Sequence, residues 1–120
     1  MTGNEDGPEK AQPVPRITLT PDFGARWGLW GDRVIPSPPG EADLEEPADF
    51  MFSEQLTRRL RAWIDEWQAN FSIELRWSRD FDIDKWLIDG DEIVRLIQRE
   101  LPHYVIDPRY RTYRNHLREL

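Results

Sequence analysis

The chain has 120 residues, a net charge of −7 and no cysteine. That length allows one domain. The missing cysteines exclude a disulfide framework, a thiolate metal site and a Cys nucleophile, and the acidity argues against nonspecific nucleic-acid binding and anionic membranes.

Six tryptophans, five phenylalanines and three tyrosines stand in this polar chain. Each large aromatic side chain buries about 150–250 Å², so a few of them can supply much of a small core. Residues 1–15 carry Glu5, Asp6 and Glu9 among Gly, Pro and Gln, with almost nothing to bury. They are expected to form a disordered, solvated tail. The chain shows no apolar leader segment and no apolar run of membrane-spanning length, so a soluble cytoplasmic protein is expected.

Arg16 to Thr20 predicts a first strand: Ile17 and Leu19 point one way, and Thr18 and Thr20 are β-branched. Pro21 and Asp22 end it. Glycines 24, 28 and 31 then punctuate Phe23, Trp27, Leu29 and Trp30. This pattern predicts a turn plus a short extended piece wrapping the core. Aromatics between glycines also suit base stacking, but only Arg26 and Arg33 stand near them, and no nucleic-acid partner is expected.

Val34 to Asp49 holds four of the ten prolines together with Glu41, Asp43, Glu45, Glu46 and Asp49, and no basic residue. It predicts a long acidic loop, which is either a solvated connector or a surface for a basic partner. Phe50, Met51 and Phe52 would anchor its end.

Residues 53–71 give the clearest signal. Leu56, Leu60, Trp63, Ile64, Trp67 and Phe71 recur on one face of a helix, with Arg58, Arg59, Arg61, Asp65, Glu66 and Gln68 on the other. Ser53 suits the N-cap, and Asn70 suits a left-handed stop. From Phe71 to Trp77 apolar residues alternate, which predicts a half-buried strand or a helix fraying into loop.

Residues 82–101 predict the second helix. Ile83, Trp86, Leu87, Gly90, Ile93, Val94, Ile97 and Leu101 share one face, Asp82 or Asp84 caps the start, and Pro102 ends it. Gly90 implies either close packing or a break at Asp89–Gly90. His103 to Asp107 predicts a last short strand. Beyond it Tyr110, Tyr113, Leu117 and Leu120 fall at helical spacing among Arg109, Arg111, Arg114 and Arg118. This basic extension, 108–120, either folds back on the acidic body or faces a partner.

Asp80, Asp82 and Asp84 occupy the first, third and fifth positions of a calcium loop, but Lys85 stands where the sharp turn needs glycine and Asp91 where a bidentate Glu belongs. An Asp-rich helix start explains the cluster, and neither a metal nor a cofactor is expected. His103 and His116 lie in no catalytic context, and no phosphate-binding glycine motif occurs.

The segments PDFGARWGLWGD, FSEQLTRRLRAWIDEW, LIDGDEIVRLIQRELP and HYVID, in that order, resemble a group of small acidic bacterial proteins of unassigned function. The resemblance covers residues 16–107 and implies an α+β fold without catalytic residues. Small acidic bacterial domains of this kind include many immunity proteins and antitoxins, which is an analogy of class.

The expected fold is therefore α+β: two amphipathic helices packed on a small sheet of two to three strands drawn from 16–20, 71–77 and 103–107. Trp63, Trp67, Trp86, Ile93 and Ile97 would be core. The expected function is non-catalytic binding and inhibition of a basic protein partner. The candidate residues are Glu41, Asp43, Glu45, Glu46, Asp80, Asp82 and Asp84, with Trp27 and Trp30 as aromatic contacts. An accessory subunit of a larger assembly, using Trp27, Trp30 and residues 108–120, is the alternative, and a small metal-dependent enzyme the third. Monomer and homodimer are both compatible with the sequence.

Overall fold

The structure is a computed structural model, and it describes residues 14–31, 43–74 and 76–115. Most of the N-terminal tail, Glu41, His116, Leu117 and Leu120 lie outside the described residues. The fold is α+β. A mixed sheet forms from β1 (Arg16–Leu19), β2 (Leu29–Gly31), β3 (Asp43–Glu45) and β6 (Val105–Asp107), in the order β3-β2-β1-β6. β1 pairs antiparallel with β2, Thr18 opposite Trp30, and parallel with β6, Ile17 opposite Ile106. β2 pairs antiparallel with β3, Leu29 opposite Glu45 and Trp30 opposite Leu44.

The helices are α1 (Glu54–Asn70) and α2 (Ile83–Glu100). Each begins where a side chain can satisfy an orphan N–H. The Ser53 hydroxyl accepts from the Leu56 N–H at 3.1 Å, and the Asp82 carboxylate accepts from the Lys85 N–H at 3.0 Å. One carboxylate joins the start of α1 to the end of α2: Glu100 accepts the Ser53 N–H at 2.9 Å and its hydroxyl at 2.6 Å.

The apolar stripes read from the sequence face each other and the sheet. Leu56, Leu60, Trp63, Ile64 and Trp67 of α1 are buried with Trp86, Leu87, Ile93 and Ile97 of α2 against Ile17, Leu19 and Leu29. At the centre the Trp63 and Trp86 indoles lie parallel, 4.5 Å apart and 6° from coplanar. Each indole N–H donates to the other residue's backbone carbonyl, at 2.9 Å from Trp63 and 3.2 Å from Trp86. α2 runs unbroken through Gly90. A Cβ there would lie 2.6 Å from the Tyr110 ring and 2.8 Å from the Trp63 ring, so only glycine lets the aromatic layer close on the helix.

Three expectations change. Phe71 to Trp77 is not one strand but a two-stranded hairpin, β4 (Phe71–Ser72) and β5 (Arg76–Trp77), separate from the main sheet. Phe71 and Trp77 pair across it and both turn inward, while Ile73 at the bend is 65% exposed. A hairpin that folds back symmetrically keeps the same alternation as a straight strand. Asn70 is not a left-handed stop. It lies inside the helix with its amide donating to the Glu66 carbonyl at 2.9 Å, and α1 passes directly into extended Phe71, so no left-handed residue is needed. Finally, part of the expected acidic loop, Asp43–Glu45, is a strand. Pro47 follows it and opens a short 3-10 helix, Pro47–Phe50.

Residues 109–115 also pack on this body as a 3-10 helix, Arg109–Asn115. Tyr110 is fully buried, edge-on to Trp63 at 5.1 Å, and its hydroxyl donates to Asp91 at 2.5 Å. Arg111 pairs with the same carboxylate, and Arg114 pairs with Asp84.

Candidate functional site

The register of β2 and β3 builds the site. By placing Glu45 opposite Leu29, it brings the acidic stretch against the turn that carries Trp27. The result is a cleft of about 470 Å³ lined by Ala25, Arg26, Trp27, Leu29, Glu45 and Glu46. Trp27 therefore shares one surface with Glu45 and Glu46, eighteen and nineteen residues further along the chain.

Arg61, on the polar face of α1, holds Trp27 in place. Its guanidinium sits 5.0 Å from the ring centroid and donates to the Arg26 carbonyl at 2.6 Å and to Asp65 at 3.1 Å. Cation–π attraction and the bond to the Arg26 carbonyl thus pin the turn to the helix, while Asp65 on the same helix orients the guanidinium. Gly31 lies on the other side, where an added Cβ would meet the end of the Glu45 side chain and turn its carboxylate aside. The Glu46 N–H donates to Asp49 at 2.7 Å, which fixes the bend after β3. Arg26, Arg61 and Gly31 were missed in the sequence. Arg61 reads only as one of several arginines on a solvated face, and Gly31 only as a turn residue.

The cleft sets the half-buried Trp27 ring beside Glu45 and Glu46, with Arg26 also in its lining. That combination suits an aliphatic stem ending in a cation, such as a lysine or arginine side chain. Its other candidates stand apart. Trp30 is half-buried, its indole donating to the Thr20 carbonyl at 3.0 Å, and it does not line the cleft. Asp43 lies in β3 opposite Gly31.

Asp80 and Asp82 line a different cleft, of about 500 Å³, with Glu66, Ser78, Arg79 and Lys85. The hydrogen bond from Lys85 to Asp89, 2.8 Å long, and the charge of Asp89 raise the Lys85 ammonium above its ordinary range. Asp84 does not join this cleft, because it pairs with Arg114. Asp82 also caps α2, so the three aspartates do not act as one cluster. Among the described residues no group of three His, Cys, Asp or Glu side chains is placed to hold a metal ion, and no helix is long and apolar enough to cross a membrane.

Neither a protein-family model nor a curated protein matches the chain, so its function is argued from this geometry.

Proposed function

We propose that this protein is a non-catalytic binding domain of the cytoplasm that captures and inhibits a basic protein partner, as an immunity protein or antitoxin does. The observation that carries the reading is the convergence of Trp27, Glu45 and Glu46 on one cleft. The partner would insert a basic side chain there, its stem against the half-buried Trp27 ring and its charge facing the two carboxylates. The chain's net charge of −7 supports fast, salt-sensitive association with such a partner. The accessory-subunit alternative needs Trp27, Trp30 and the end of the chain as contact surface. Trp30 is half-buried with its indole N–H committed to the Thr20 carbonyl, and Tyr110 is fully buried.

The test is affinity capture from native lysate with the wild-type chain and with Glu45→Lys/Glu46→Lys, at low and high salt. The expected result is a basic protein that the wild type retains at low salt, that high salt releases, and that the doubly reversed variant fails to hold. Retention by the reversed variant, or retention at high salt, would count against the reading.

A further inference from the structure

A third cleft, of about 490 Å³, opens where the end of α1 meets the β4–β5 hairpin. Arg76, Arg79, Ser72, Ser78 and Asn70 line it, and no carboxylate does. Arg79 also borders the neighbouring cleft with Asp80 and Asp82, so Arg76 is the cation that belongs to this cleft alone.

Arg76 is the distinctive residue. Its φ is 61°, in the left-handed region that glycine or asparagine occupies far more readily. Strain of this kind persists where the surroundings or a function hold it. The Arg76 guanidinium is exposed and makes no ion pair or hydrogen bond among the described residues.

The end of a helix is ordinarily electronegative, which would repel an anion. Here the carbonyls of the last turn are substantially occupied. Glu66 accepts from the Asn70 amide at 2.9 Å, Trp67 accepts from the Phe71 N–H, and Asn70 accepts from the Ser78 N–H at 2.7 Å. The cleft therefore offers the Arg76 guanidinium and the Ser78 hydroxyl as donors rather than bare acceptors.

We propose that this cleft binds a small oxyanion, a phosphate or carboxylate group, with Arg76 as its fork and the Ser78 hydroxyl beside it. A planar guanidinium can donate two parallel hydrogen bonds to such a group, which a lysine cannot. The site is independent of the Trp27 cleft, so either proposal can fail alone.

The test is a titration of the full chain with inorganic phosphate, and separately with acetate, followed by amide and arginine Nε chemical shifts at constant ionic strength. Saturable shifts confined to residues 70–79 are expected. Arg76→Gly suits the left-handed backbone and so should keep the fold. It should weaken binding by about tenfold or more, while Arg76→Lys weakens it less. Phosphate binding tighter than acetate binding would identify a phosphate group as the ligand, and equal binding a carboxylate as an equally good one. The proposal is overturned if shifts scatter over all cationic side chains, if none saturates, or if Arg76→Gly titrates like the wild type.

Discussion

Gly90 shows how one missing methyl group organises a core. An alanine in the middle of a helix is ordinarily worth about 1 kcal/mol more than glycine. Here the added Cβ would press on the rings of Tyr110 and Trp63, and overpacking costs about 1–3 kcal/mol. The two terms oppose each other, and the second is larger because both neighbours are rigid rings held by their own hydrogen bonds. Gly90→Ala is therefore expected to lower stability, by up to about 2 kcal/mol in urea unfolding, the reverse of the usual helical trend. A variant more stable than the wild type would mean that the aromatic layer has slack.

Among the elements, the 3-10 helix Arg109–Asn115 depends most on charge. Partial burial pushes the Asp91 carboxyl upward, but hydrogen bonds from Tyr110 and Arg111 and the charge of Arg111 outweigh it and hold the group below its ordinary value. Burial, and then Asp91, push the Tyr110 phenol upward, so it stays a donor. A carboxyl lowered by folding contributes stability that is present above its unfolded value, about 3.9. That contribution is lost as pH falls through the folded value. Comparing wild type with Asp91→Asn by urea unfolding should thus show a constant deficit in the variant near neutrality, shrinking toward zero in strong acid. A deficit that grows on acidification would contradict this linkage.

The elements also differ in how plainly the sequence announces them. α1 and α2 are legible because seventeen or eighteen residues repeat a period near 3.6. β2 and β3 have three residues each, too few to show a period of two, and prolines flank β3. The hairpin at 71–77 is hidden because folding back preserves alternation. Trp27, Glu45 and Glu46 could each be named from composition and local pattern, yet their meeting depends on the β2–β3 register, a pairing between distant segments that no local pattern contains.

Across the whole molecule, charge and packing are divided between surfaces. The large aromatics join the two helices, the hairpin and the C-terminal segment into one core, while a carboxylate-edged cleft and an arginine-lined cleft open to solvent. The reciprocal Trp63–Trp86 bonds carry a consequence for motion. Helices often respond to ligands by sliding past each other. A slide of α1 along α2 would separate both donors from both carbonyls at once, so the pair acts as a bolt against shear. A rearrangement driven by any ligand would then be confined to turns and rims. The two indole protons should also become available to solvent only when the helical hairpin opens as a unit. Their deuterium exchange, followed by NMR, is expected to run at one shared rate and to slow or quicken together as denaturant is varied.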